Sequence, residues 1–237
     1  MPAAFREAGR MPPVRCWNAR FAAAVARSER SARTSTDRRR QTGTAGRILD
    51  VAERLVQTRG FNAFSYADVA AELGVQKASL HHHFATKADL GLAVVARYRA
   101  DFQAALTAIE LTTEAAIEQL ERYVELYGAV LRRKRMCLCG MMAADVATLP
   151  KPLRASLAEF FAENEAWLAQ VLEEGRRRGE LRFDGTAVSL AAFFVSALEG
   201  IMLVARGSGR LEEFDAAANR LLALVDAVRA KQTRNPS

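Results

Sequence analysis

The sequence predicts an all-α protein: an N-terminal three-helix unit built around a helix-turn-helix, followed by a larger helical domain. Three observations predict it. Half of the 237 residues are apolar while Gly (14) and Pro (6) are scarce, as in helix-rich globular chains. From Thr44 onward apolar residues recur at three- and four-residue spacing, with no alternating run of convincing length. Residues 65–89, SYADVAAELGVQKASLHHHFATKAD, fit two short helices, a tight turn and the start of a further helix into 25 residues.

Charge separates the first stretch from the rest. Residues 1–43 hold ten Arg against Glu7, Glu29 and Asp37, which accounts for the whole net charge of +7. Residues 44–237 balance 24 basic with 24 acidic residues, so nucleic-acid binding by the body must come from a local motif rather than from net charge. Residues 1–42 are expected to form a basic, disordered extension. Its apolar run, residues 21–26, is too short for a signal-peptide core. A second expectation is that translation starts later, at Val14 or Val25, since no Met lies between Met11 and Met136. If the stretch is present, Arg38, Arg39 and Arg40 stand where they could grip phosphate or the minor groove.

The first helix starts at Thr44 and carries Ala45, Ile48, Leu49, Ala52, Leu55 and Val56 on one face, with Gly60 as its stop. Ser65 and Asp68 form a capping box for a second helix that turns Tyr66, Val69, Ala70 and Leu73 inward. Gly74 permits a sharp turn and Val75 plugs the core. Gln76 or Lys77 opens the third helix, where Leu80 and Phe84 share the inner face. That leaves Gln76, Lys77, Ser79, His81 and His82 for the other faces. Thr86 and Asp89 form a second capping box and open a long fourth helix ending near Ile109. Further helices are predicted over residues 114–134, 140–148, 152–175, 186–206 and 211–231, with breaks at Leu149-Pro150, Gly179 and Gly207-Ser208-Gly209.

Residues 187–205 are nearly all apolar and long enough to span a membrane. Glu199 within them and the many small residues favour a helix wedged between its own domain and a partner subunit. Leu211, Phe214, Ala218, Leu221, Leu222, Val225 and Val228 offer a stripe to pack beside it, so that two helices from each chain would form an intersubunit four-helix bundle.

All three histidines, His81, His82 and His83, lie on the third helix. Consecutive helical residues point about 100° apart, so the three cannot converge on one metal, and no i, i+4 partner is present. Neither a metal nor another cofactor is expected. What remains is hydrogen bonding to phosphates and base edges, with His83 expected to pack between helices instead. Three cysteines are too few for a disulfide framework and suit a reducing compartment. A Cys-dependent enzyme would lack a partnered base, so no catalytic residue is assigned.

Residues 47–89, RILDVAERLVQTRGFNAFSYADVAAELGVQKASLHHHFATKAD, resemble the DNA-binding domain of TetR/AcrR-family transcriptional regulators, in register over about sixty residues. The resemblance implies a DNA-binding domain over residues 43–103, with its helix-turn-helix at about 66–85, and a C-terminal ligand-binding and dimerisation domain over 104–237. It implies a cytoplasmic homodimer, nucleoid-associated when bound to a palindromic double-stranded DNA operator, with an unknown small-molecule effector and no membrane. It assigns Ser65 to a phosphate, Gln76, Lys77 and Ser79 to the groove, and His82 and Lys87 to the DNA backbone. Position 81 is commonly Tyr in the family and is His81 here.

In the C-terminal half Met136-Cys-Leu-Cys-Gly-Met-Met follows Arg132-Arg-Lys-Arg135. Cys137 and Cys139 are either small core residues or sensor thiols. A thiol at a helix N-terminus beside Arg and Lys ionises more easily and meets electrophiles or oxidants faster, and Cys137 resembles the sensing position of some family members. The other effector reading is a reversible pocket lined by Tyr123, Tyr127, Met141, Met142, Phe160, Phe161, Trp167, Phe193 and Phe194. Either would act on the operator through the long fourth helix. The alternatives are a constitutive DNA-binding protein without effector and, less well supported, a Cys-dependent enzyme.

Overall fold

The structure, a computed structural model, describes residues 43–227. The expectations for residues 1–42, Arg38, Arg39 and Arg40 included, and for residues 228–231 lie outside the described residues.

Three short helices form a head. α1 (Thr44–Arg59) buries Ile48, Ala52, Leu55 and Val56, the face its spacing predicts. α2 (Tyr66–Leu73) starts where Asp68 accepts hydrogen bonds from the Ser65 amide and hydroxyl, both at 2.7 Å. It ends at Gly74, whose φ of 67° is left-handed. The amides of Gly74 and Val75 turn back to Ala71 O and Ala70 O, a closure that glycine makes without steric penalty. Gln76 is the N-cap of α3 (Lys77–His83) rather than its first residue. The Tyr66 hydroxyl is directed at two carbonyls, Phe84 O (2.8 Å) and Thr86 O (2.6 Å), pinning the start of α2 to the chain that leaves α3.

α4 (Lys87–Thr112) opens on a complete capping box between Thr86 and Asp89. It continues three residues past the expected end, through residues 103 and 104 without a break. Towards its middle Arg97 pairs with Asp50 (2.7 Å) and Glu53 (2.6 Å) of α1. Two residues on, Arg99 pairs with Glu159 (2.5 Å) and Glu163 in the body. The body comprises α5 (Ala116–Arg132), α6 (Leu138–Ala144), a 3-10 turn (Val146–Thr148), α7 (Lys151–Arg177), α8 (Ala187–Ser208) and α9 (Glu213–Leu222). α6 starts earlier than expected, which puts Cys137 at its N-cap and Cys139 in its first turn.

The expected helix over 211–231 is corrected. α9 stops at Leu222, and Asp226–Ala227 pair antiparallel with Leu181–Arg182. These short strands, β1 (Leu181–Arg182) and β2 (Asp226–Ala227), satisfy each other's backbone groups beside the buried Val225. Partners 46 (Leu181 with Ala227) and 44 (Arg182 with Asp226) residues apart leave no local periodic signal. α9 buries Phe214, Ala218 and Leu221 within its own chain. α8 has the length and composition to cross a membrane, yet Ala191, Phe194, Val195, Leu198 and Met202 are buried in this domain. Val188, Phe193, Leu203 and Val204 face outward.

Head and body meet at the end of α1. The last carbonyls of a helix have no partner within it. Here the Met136 amide donates to Gln57 O (3.1 Å), and the Arg206 guanidinium donates to Gln57 O (3.2 Å) and Thr58 O. Nearby, Asp145 accepts the Asn62 amide (3.2 Å) and Thr148 accepts the Asn62 side-chain amide (2.8 Å). Tyr66→Phe removes the hydroxyl that serves the Phe84 and Thr86 carbonyls, of which Thr86 O keeps the Leu90 amide (3.1 Å). It is expected to lower stability by about 1–2 kcal/mol, measured by urea unfolding.

Candidate nucleic-acid interface and effector site

α3 uses one residue, Leu80, as its buried anchor. Gln76, Lys77, His81 and His82 are exposed and Ser79 is half-buried. The expectation that His83 packs between helices is corrected: it is exposed, with its ring 5.6 Å from that of His82. A seven-residue helix offers a single inward position here, and Phe84 just beyond it fills the next. His81 lies on the Tyr66 ring, centroids 4.7 Å apart, and its Nδ1 is 3.0 Å from Ala85 O. α3 therefore presents a polar ridge seated on one apolar peg.

Two residues assigned to the DNA backbone have partners inside the head. Ser65 is exposed but gives both its amide and its hydroxyl to Asp68. Those hydrogen bonds hold the Asp68 carboxyl below the usual carboxylate range. Lys87, expected at the DNA backbone, likewise has partners within the head. Its ammonium donates to Phe64 O and sits over the Phe61 and Phe64 rings, 4.7 and 4.4 Å from their centroids. Burial lowers its pKa, with Asp145 and Asp68 opposing that shift. The start of α4 abuts the loop carrying Phe61 and Phe64, so a carbonyl and two ring faces hold the cation at the base of the head.

In the body, Tyr98, Phe102, Tyr123, Tyr127, Phe160 and Trp167 form a continuous aromatic cluster. The Phe102 ring stands 6.1 Å from Tyr123, 6.1 Å from Tyr127 and 5.3 Å from Phe160. Trp167 stacks on Tyr123 at 5.6 Å and donates to Glu110 (2.7 Å). The buried hydroxyls of Tyr123 and Tyr127 are 3.2 Å apart, and Tyr123 donates to Asn164 (3.3 Å). Tyr98 donates to Cys137 Sγ at 3.7 Å. Met141 and Phe193, expected at this cluster, lie elsewhere. The Met141 sulfur accepts from Arg206 (3.6 Å) at the head–body contact, and Phe193 is 52% exposed on α8.

Of the two readings of the cysteines, the structure places both in the core and removes the basic surroundings that easy ionisation required. Cys137 and Cys139 are buried, and burial pushes both thiols well above the ordinary range, with the Glu199 carboxylate adding to it. The basic run does not reach Cys137. Arg132 pairs with Glu125 and Asp215, Arg135 reaches Gln57, and Arg133 and Lys134 are exposed.

Glu199 is the residue that sequence reasoning missed as part of this site, although a lone acid in an apolar helix was its signal. Its backbone lies at the edge of the α8 surface while its carboxyl turns inward under α6, so close that a Cβ at Gly140 would collide with it. Oε1 is buried without a hydrogen-bond partner, and burial pushes the carboxyl pKa up to about 7. From the ordinary 4.5 to about 7 the folded form holds a proton that the unfolded form has lost, so stability falls as pH rises through this window. The loss is on the order of 3 kcal/mol. Urea unfolding of wild type and Glu199→Gln on either side of the window is expected to show this slope in wild type only.

Residues 48–94 match the family model for bacterial regulatory proteins of the tetR family, and residues 116–225 match the tetracyclin repressor-like C-terminal domain. A TetR-family transcriptional regulator from Agrobacterium tumefaciens superposes with a TM-score of 0.75 at 32% identity, covering 77% of this chain and 97% of that one. The transcriptional repressor NemR of Escherichia coli is 26% identical over 178 residues, 73% of this chain and 88% of NemR. The transcriptional regulator AcuR of Cereibacter sphaeroides is 28% identical over 152 residues, 62% of this chain and 69% of AcuR. With a capped helix-turn-helix, a predominantly helical body and both halves matched, the chain belongs to the TetR family of transcriptional regulators, DNA-binding proteins rather than enzymes.

Proposed function

We propose that the protein is a homodimeric repressor that holds a palindromic operator through α3 and releases it when a small molecule reaches the Cys137 region of the body. The polar ridge of α3, seated on Leu80, carries this reading. A rigid exposed helix with Gln76, Lys77 and Ser79 at its N-terminal end suits insertion into the major groove, and His82 is left for the adjacent phosphates. The head corresponds to residues 43–103 and the body to 104–237, with α4 shared between them. Dimerisation is supported by the outward row Val188, Leu203 and Val204 on α8, with Ser196 and Gly200 exposed among them to permit close helix approach. The related NemR is named a repressor, which favours repression over activation. The cytoplasm is the compartment that suits such a regulator.

The effector reading combines a buried thiol with an aromatic surround. Burial at Cys137 limits the reacting compound to a small electrophile or oxidant.

Selection of binding sites from random duplex DNA with the purified protein is expected to recover an inverted repeat. Gln76→Ala should relax preference at one position in each half-site, by about 1–3 kcal/mol. Uniform weakening across all sequences would instead make Gln76 a backbone contact. An electrophile or hypochlorite is expected to release operator from wild type and not from Cys137→Ser, followed by fluorescence anisotropy. Equal release from both would remove Cys137 from the mechanism.

A further inference from the structure

We infer that Glu199 is the proton acceptor for Cys137, and that the pair forms an addition site for small, uncharged α,β-unsaturated carbonyl compounds. This rests on the reading that an electrophile reaches Cys137, and adds to it the residue that makes the reaction feasible and the compound class that fits.

A thiol as buried as Cys137 is a poor nucleophile unless its proton has somewhere to go. Glu199 projects from α8 under α6, its carboxyl packed against Gly140, three residues from Cys137, and each group perturbs the other's ionisation. Its Oε1 is shielded from solvent and accepts no hydrogen bond. A buried carboxylate oxygen left empty is costly, and here it is an acceptor site beside a donor that needs one. From α4, Tyr98 donates to the same sulfur. Burial keeps that phenol protonated, so it remains a donor as negative charge grows on sulfur.

The groups facing Glu199 and the thiol come from several elements. α6 contributes Cys139, α4 contributes Tyr98, and α5 contributes Tyr123 and Tyr127. The field of Arg99 reaches Cys139, but Arg99 is tied to Glu159 and Glu163. Anions are therefore repelled by Glu199, and bulky compounds are excluded by the packing around Cys137.

The chemistry balances without an oxidant. The Cys137 S–H bond breaks and its proton passes to the Glu199 carboxylate as sulfur bonds to the β-carbon. The C=C π pair moves to the α-carbon as an enolate, which then takes the proton back from Glu199. One S–C and one C–H bond form, one S–H and one C=C π bond are lost, and the carboxylate is regenerated. A carboxyl that titrates near neutrality can serve in both directions.

The test follows formation of the Cys137 adduct by peptide mass spectrometry on the full-length protein. Methyl vinyl ketone is the probe, acrylate is the anionic comparator, and pH runs from about 5.5 to about 9.5. In wild type the rate is expected to rise through an inflection near pH 7 and flatten, with acrylate reacting far more slowly. Glu199→Gln should lose the inflection and react at least about tenfold more slowly at neutral pH, and Glu199→Asp should recover part of it. A Gln variant that reacts as fast or faster overturns the inference, because a carboxylate that merely repels the thiolate gives that result when removed. If the Gln variant does not fold, wild type decides: a steady climb to alkaline pH with no break near 7 overturns it. Operator release is measured on the same samples. An adduct with the expected profile but no release sinks the effector reading while the proton-acceptor role stands. Release without the inflection sinks the proton-acceptor role alone, and no adduct at Cys137 sinks both.

Discussion

A helix cannot satisfy its own last carbonyls, and α1 finds partners for Gln57 and Thr58 in the body. The Met136 amide that serves Gln57 adjoins Cys137. The Arg206 side chain that serves both carbonyls stands seven residues, about two turns, beyond Glu199 on α8. The groups that set the position of the head are thus covalent neighbours of the groups around the buried thiol. α6 and α8 each carry a side chain at the thiol, and the Met136 amide beside α6 and Arg206 on α8 each meet the end of α1. Met141 belongs to this junction rather than to the aromatic cluster, because its sulfur lies against Arg206.

The polar groups of the body are sorted by burial. Ion pairs between α4 and its neighbours, such as Arg97 with Asp50 and Glu53, retain some water contact and orient elements more than they stabilise them. The Tyr98, Cys137, Tyr123, Tyr127 and Glu199 cluster is shielded, and there each ionisation is opposed by desolvation first. The head shows the converse. His81, His82 and His83 are exposed to solvent, His81 with its Nδ1 at Ala85 O.

The head was legible in the sequence where its signals are local. Ser65 with Asp68, Gly74, Leu80 and Thr86 with Asp89 each encode a cap, a turn or an inward position within a few residues, and the structure keeps all of them. Lys87 was not legible, because its destination is set by Phe61 and Phe64 across a loop. The cysteine environment failed for the same reason. Arg132 to Arg135 are close to Cys137 in sequence, whereas in space the thiol faces Glu199, some sixty residues away along the chain. The end of α9 was misread because its apolar spacing continues past Leu222, while a backbone pairing with β1 overrides it.

α4 is one unbroken rod of 26 residues, about 39 Å long, fixed to the head at Arg97 and to the body at Arg99. Angular error is magnified along such a rod: a tilt of about 5° at one end displaces the other by about 3 Å. A small rotation of the rod where the body holds it is therefore read out as a larger displacement at its first turn, the end that follows α3.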